Sequence, residues 1–226
     1  MQMDISILNQ KIIGCRKCPR LVDYRESVTR KKKKKYLDWV YWGKPVPAFG
    51  DFDGKILVVG LAPGPHGSNR TGRMFTGDAS GVFLYAALHL EGYANQAASI
   101  NREDGLKLTD MLISAVCRCV PPDNKPNRAE ISNCLPYLEQ EISMMRNLQG
   151  IVLLGRIAFD SLLKMYHDKG IDIPQLDFRH GEVYQLSENL PWIMASYHPS
   201  QQNTQTGRLT TEMFDEIWQK AKEREI

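Results

Sequence analysis

Chemistry in this chain concentrates in three places. The first is the loop Gly60-Leu61-Ala62-Pro63-Gly64-Pro65-His66-Gly67-Ser68-Asn69-Arg70-Thr71-Gly72-Arg73-Met74-Phe75-Thr76-Gly77-Asp78, which follows the apolar run Lys55-Ile56-Leu57-Val58-Val59. A glycine-rich loop at the carboxyl end of a buried strand is where open α/β sheets bind ligands. Its glycines let the backbone approach a ligand, Phe75 offers a ring face and Asp78 a carboxylate. The second is the loop from Tyr197-His198-Pro199-Ser200 to Gly207-Arg208, after the apolar run Trp192–Ser196. The third is a set of cysteines: Cys15 and Cys18 as CxxC, then Cys119 and Cys134. Neither GxxxxGK[ST] nor GxGxxG occurs in the first loop, so nucleoside-triphosphate and dinucleotide readings lose their usual support.

Each of these residues has an ordinary reading beside the chemical one. An Asp before Ala-Ser-Gly at a helix start is often an N-cap. Asn124, in Pro121-Pro122-Asp123-Asn124-Lys125-Pro126, suits a turn. Phe75 suits a core, and a lone His such as His198 is more often structural, although a strand end followed by Pro-Ser places it well to donate to a ligand. The cysteines are harder to dismiss, because five of them, an odd count with no secretion signal, argue against a disulfide framework. Four thiolates from three segments suit a tetrahedral zinc site or a [4Fe–4S] cluster, and spacing does not choose between them. Cys117 lies two residues before Cys119, on the same side of a strand; it is an alternative ligand or a buried bystander.

Taken in order, the GLAPG…GSNRTGR.FTGDASG loop, the HPS…NTxTGR loop and the cysteines closely resemble the family 5 (type B) uracil-DNA glycosylases of archaea and bacteria, from roughly Cys15 to Arg208. The resemblance implies excision of uracil from DNA, with Asp78 as the catalytic carboxylate, Asn124 positioning water or substrate, and His198 donating to the base O2. It implies a base pocket of Gly60, Ala62, Pro63, Gly64, Phe75 and Ala115, with Phe75 stacked on the flipped base. It also selects [4Fe–4S], held by Cys15, Cys18, Cys119 and Cys134, in a structural role. Two departures matter. The related family 4 carries an acidic residue three positions after the APG glycine, where this chain has Gly67, so Asp78 must take more of the role. Relatives strict for uracil place an Asn where this chain has Ala115; a site that reads fewer edge groups rejects fewer analogues, which implies hypoxanthine and oxidised pyrimidines as further substrates. The family usually has Pro at Met74. The competing reading is a non-catalytic zinc or iron–sulfur module that binds nucleic acid.

Breaking the bond from deoxyribose C1′ to the base leaves positive charge on the sugar and negative charge on the base. A catalyst therefore needs a carboxylate near C1′ and its water, and donors near the base. The nucleotide must first leave the duplex. Among the motif loops only Lys125 supplies an amine, so a Schiff-base lyase step is not suggested and the enzyme is expected to be monofunctional.

The net charge of +3 conceals an asymmetry: residues 11–35 hold eleven Lys or Arg against two acids. Within them Arg30 is followed by Lys31, Lys32, Lys33, Lys34 and Lys35, a block expected to be mobile unless it meets a polyanion. Beside a DNA-repair site, phosphate attraction is the reading it supports. Asn69, Arg70, Arg73, Ser200 and Arg208 are expected to join it on DNA. No apolar run approaches the roughly 20 residues that span a bilayer, and Met1-Gln2-Met3-Asp4 has no signal pattern. A cytoplasmic, nucleoid-associated monomer of prokaryotic, archaeal origin is expected; no segment identifies a protein partner such as a sliding clamp.

The elements that must position these groups alternate. Helical patterns cover residues 5–13, 80–90, 128–148, 156–167 and 209–224; strands cover 55–59, 111–116, 151–154 and 192–196, with a short one within 181–186. Such alternation predicts one α/β domain: three layers, α/β/α, around a mostly parallel four-stranded sheet, with the cluster at the N-terminal segment (residues 1–50) packed on it. All three chemical segments follow strands (after residues 59, 116 and 196), so they gather on one sheet edge.

Overall fold

The computed structural model of the protein describes residues 5–225; Met1–Asp4, on which the expectation of no export signal rested, lie outside them. The chain opens with helices α1 (Ile5–Ile13) and α2 (Pro19–Arg30), joined by the CxxC turn. Then come β1 (Phe49–Gly50), β2 (Ile56–Gly60), α3 (Ser68–Thr71), α4 (Ala79–Leu90) and β3 (Met111–Ala115). The remainder runs α5 (Arg128–Met144), β4 (Gly150–Leu154), α6 (Arg156–Asp168), β5 (Val183–Tyr184), β6 (Trp192–Ser196), α7 (Gln201–Gln205) and α8 (Thr211–Lys222).

The sheet has six strands in the order β1-β3-β2-β4-β6-β5, rather than the expected four. The four central strands are parallel, and β1 and β5 add antiparallel edges of two residues each, too short to leave a periodic pattern. Every residue of the four central strands is buried, as continuous apolar runs require of strands covered on both faces. Alternate residues divide between two cores. Ile56, Val58, Ile113, Val152 and Met194 pack with Leu84 and Leu88 of α4 and Phe214 and Trp218 of α8. Leu57, Val59, Leu112, Leu153 and Ile193 pack with Leu138 of α5 and Phe159 and Leu162 of α6. These are the three layers.

The neighbouring parallel strands β2 and β4 therefore send their following helices, α4 and α6, to opposite faces. The crevice beyond their carboxyl ends is a topological switch point, the place where such sheets hold ligands. Several ends differ from the sequence pattern: α5 stops at Met144, β3 stops at Ala115, and α8 starts at Thr211 behind the N-cap Thr210, whose hydroxyl accepts from Met213 N. The lysine block is also folded rather than loose. It continues from α2 into a 3₁₀ turn at Lys34–Tyr36; Lys32 donates to the Leu37 carbonyl at 3.0 Å, and the Lys35 ammonium lies 4.7 Å from the Tyr36 ring centre. Among the described residues no helix is long and apolar enough to cross a membrane.

Candidate active site and thiol cavity

Asp78 combines the two roles open to it in sequence. It is the N-cap of α4, with Oδ1 accepting from Gly81 N at 3.0 Å. Its other oxygen, Oδ2, occupies the hollow over two glycines of the same loop. A Cβ at Gly64 would come within 2.9 Å of Oδ2, and one at Gly67 would collide with it. The carboxylate from position 78 thus fills the space that a side chain at position 67 would need. Burial pushes the Asp78 carboxyl above the ordinary carboxylate value; the Gly81 and Ser80 amides and the Arg70 charge pull against it.

Phe75 is 9% exposed and stands at φ 49°, a left-handed conformation that a bulky residue adopts only when its surroundings hold it there. Three contacts do so. Its ring lies over Gly60, where a Cβ would come within 2.7 Å of Cζ; its carbonyl accepts from Ser99 Oγ at 3.2 Å; and Gly81 leaves room for that carbonyl. Ala115 pairs in register with Gly60, is 1% exposed, and belongs to the same apolar cluster as Phe75.

The Phe75 ring packs against His198, with centroids 5.8 Å apart and planes 28° from parallel. Asn203 Nδ2 and Ser200 N each donate to the His198 carbonyl at 2.8 Å, while Ser200 Oγ caps α7. Burial alone pulls the imidazole down to about 4, so it is neutral near pH 7. Its Nδ1 is buried without a protein partner. A neutral ring retains one N–H donor.

His198 lines a cavity of about 400 Å³ at the switch point, together with Leu61 after β2, Gly155 and Arg156 after β4, Tyr197, Asn203 and Arg208. That volume is within the range of small-molecule pockets. Arg156 lies 5.4 Å over the Phe178 ring and Arg208 4.6 Å over Tyr197, so two exposed guanidinium groups flank the mouth. Asn124 is exposed in a 3₁₀ turn at φ 55°.

Three residues expected on DNA are instead internal. Asn69 has no exposed surface and its Nδ2 donates to the Arg25 carbonyl at 3.4 Å. Arg73 makes a two-pronged ion pair with Asp104, both contacts 2.8 Å. Burial works against the Asp104 carboxylate, but Arg73 and the Leu106 and Ile100 amides hold it well below the ordinary range. Arg70 is 3% exposed, donates to the His66 and Gly77 carbonyls, and is clasped by the Tyr36 and Trp39 rings, each 4.0 Å away. The reason is that the 36–43 segment covers the loop: Trp42 N donates to the Arg70 carbonyl and Gly43 N to that of Asn69. Sequence reasoning missed this clasp, the Gly67–Asp78 complementarity and Arg156. Only Asn203 left a signal, as a polar residue one helical turn beyond Ser200.

A second cavity lies under the N-terminal helices. Cys15, Cys18, Cys119 and Cys134 all line it, with Lys17, Arg25, Arg118, Glu130 and Tyr137 among the other walls. Three of the sulfurs accept hydrogen bonds: Cys119 from Arg25 Nη1 at 3.0 Å, Cys134 from Arg118 N at 3.2 Å, and Cys18 from Asn133 Nδ2 at 3.6 Å. Such outer contacts are what metal-bound thiolates receive. Among the described residues, no three His, Cys, Asp or Glu side chains converge as a single ion requires. Cys117 is buried in the α5–α6 core, off the cavity wall, and hydrogen-bonds Cys134, drawing that thiol below its ordinary value against the effect of burial.

A family model described as the uracil DNA glycosylase superfamily matches residues 47–222. The chain is 46% identical over 216 residues to a type-5 uracil-DNA glycosylase of Mycobacterium leprae, covering 95% of this chain and 93% of that one. It is 46% identical over 220 residues to the type-5 enzyme of Thermus thermophilus, covering 97% and 98%. With the type-5 enzyme of Pyrobaculum aerophilum the identity is 42% over 211 residues, covering 93% and 89%.

Proposed function

The chain belongs to the uracil-DNA glycosylase superfamily, among its type-5 members, and on that premise we propose that it flips uracil out of DNA and hydrolyses the C1′–N bond, leaving an abasic site. As a DNA glycosylase it is a hydrolase of N-glycosyl bonds. The observation that carries the reading is the Asp78 carboxylate, half-buried, capping α4 and seated in the hollow over Gly64 and Gly67. From there it stabilises positive charge at C1′ and orients the attacking water, with Asn124 as second positioning group. Neutral His198 donates its N–H to the base O2 as negative charge gathers there. Gly60, Ala62, Pro63 and Gly64 allow close approach, and Phe75 presents its ring to the base. Ser200, Arg208 and Lys31 to Lys35 meet phosphates. A non-catalytic nucleic-acid-binding module would leave the Gly67–Asp78 fit without purpose.

The finer parts of the proposal are the substrate range and the cofactor. Ala115 offers no amide to read the base edge, which favours acceptance of hypoxanthine and other damaged bases beside uracil. Four thiols around one cavity, three of them bearing N–H donors, suit a [4Fe–4S] cluster, in which each thiolate takes a different iron. When bound, it ties the CxxC turn to α5 and to the segment after β3; hydrolysis of a glycosidic bond needs no electron from it. The test is incubation with uracil-containing DNA followed by alkali. Strand breakage by the wild type and its loss in Asp78→Ala are expected; base release that is equal in both removes Asp78 from the mechanism.

A further inference from the structure

Arg25 projects from α2 into the thiol cavity with 2% of its surface exposed. Nη1 donates to Cys119 Sγ at 3.0 Å and to the Cys15 carbonyl at 3.3 Å, and Nε is buried without a partner. A guanidinium out of water is costly unless an anion faces it. Among the described residues no carboxylate lies within ion-pair distance of it, and the acids around it are already engaged: its chain neighbour Glu26, whose carboxylate feels the Arg25 charge, pairs with Arg16 at 2.7 Å. Glu130 is held by both prongs of Arg20 at 2.7 Å, and Glu141 by Arg118 at 2.5 Å. Lys17, over the Tyr137 ring, adds a further cation to the wall. The protein groups around the thiols therefore carry a surplus of positive charge, and the Arg25 share of it is buried.

We propose that Arg25 is the counter-charge of the group the four cysteines hold. The inference rests on the [4Fe–4S] reading: a cubane of thiolates, sulfides and mixed-valent iron is a net anion, and its reduced form more so. Arg25 supplies that anion with a fixed charge and an N–H···S bond at Cys119, and so favours both its retention and its reduced state. It acts on the cluster and does not touch DNA, so it is a positioning and tuning residue.

The full chain is purified without oxygen as wild type, Arg25→Gln and Arg25→Lys. Iron and sulfide per chain, loss of absorbance near about 400 nm in air, and the reduction potential by EPR-monitored titration are then measured. Arg25→Gln is expected to bleach several-fold faster than wild type and to be reduced only at a more negative potential, with Arg25→Lys between the two. Because Arg25→Gln risks failing to fold, wild type carrying ¹⁵N in its arginine guanidinium groups is also reduced and studied by pulsed EPR. A guanidinium nitrogen coupled to the cluster spin is expected. Iron-loaded protein with no such coupling, or with bleaching and potential unmoved by Arg25→Gln, overturns the proposal and leaves the cluster reading intact. Wild type with stoichiometric zinc and no iron or sulfide overturns both.

Discussion

At the residue scale, burial shifts Asp78 and His198 in opposite directions, and each shift favours the neutral side chain in the folded protein. Burial raises the Asp78 carboxyl, so its contribution to stability is fully present below the unfolded value of 3.8 and is lost as pH rises through the folded value. An ionised Asp78 is less favourable to the fold than a neutral one. Asp78→Asn retains a good N-cap and is expected to melt no lower than wild type at pH 7, the difference turning in favour of wild type on acidification. Its single-turnover rate on uracil DNA should fall roughly 10²-fold or more, and the wild-type rate should decline on the acid side at a pH above the ordinary carboxylate value. A lower melting temperature for Asp78→Asn at pH 7 would contradict the burial argument. His198 has the reverse linkage. Its folded value is drawn from 6.5 to about 4, so its stabilising contribution is complete above 6.5 and lost between 6.5 and 4. His198→Gln, which keeps a donor, should flatten the stability–pH curve in that window and preserve more activity than His198→Ala.

At the element scale, the glycine-rich loop works because its own residues interlock. Gly67→Ala would push a methyl into the Asp78 carboxylate. The expected result is a loss of base-release rate comparable to that of Asp78→Ala with DNA affinity nearly unchanged; a wild-type rate would show that the hollow is not used. The β3 end makes a separate prediction about specificity. Ala115 pairs in register with Gly60, over which the Phe75 ring lies, so Ala115→Asn adds an amide beside the proposed pocket. The ratio of uracil to hypoxanthine single-turnover rates should rise by an amount corresponding to about 1–3 kcal/mol if the new hydrogen bonds form well; a fixed ratio would place Ala115 outside substrate contact. The turn after α2 predicts salt dependence. Replacing Lys31 to Lys35 by Gln should weaken binding to all sequences alike and flatten the log–log salt slope by about 0.9 for each lysine that meets a duplex phosphate. An unchanged slope would leave the block as a solvated surface.

At the scale of the whole molecule, the two cavities lie on different parts of one framework, and that separation predicts how the protein fails. The switch-point cavity is walled by the ends of β2, β4 and β6, each buried over its whole length. The thiol cavity is closed by α2, α5 and the segment after β3, and the α1 residues Leu8 and Ile12 form only a small apolar cluster with Tyr137. Cys15→Ser or Cys134→Ser is therefore expected to lower the melting temperature while leaving the rate of correctly folded molecules nearly unchanged. Melting followed by absorbance of the proposed cluster and by circular dichroism separates the two effects. Cysteine variants that keep the wild-type melting temperature but lose single-turnover activity would reverse the assignment.

Sequence by itself determined the parts of this protein that are local and repetitive. The apolar runs at 55–59, 111–116, 151–154 and 192–196 could only be buried strands, and their alternation with helices dictated a parallel sheet with its loops at one edge. The motif loops and the CxxC carried the family, because glycine, Asp, His and Cys at those spacings have few other uses together. Tertiary structure decided what depends on contact between distant segments. Edge strands of two residues have no period to detect. Arg70 and Arg73 are basic residues in a loop, and nothing in their spacing says that Tyr36, Trp39 and Asp104 arrive to enclose them. That Asp78 reaches back into the space over Gly67, and that Arg25 is left buried against Cys119, likewise follows from three-dimensional packing. A glycine in sequence is an absent side chain; only the fold shows which other residue occupies the room it leaves.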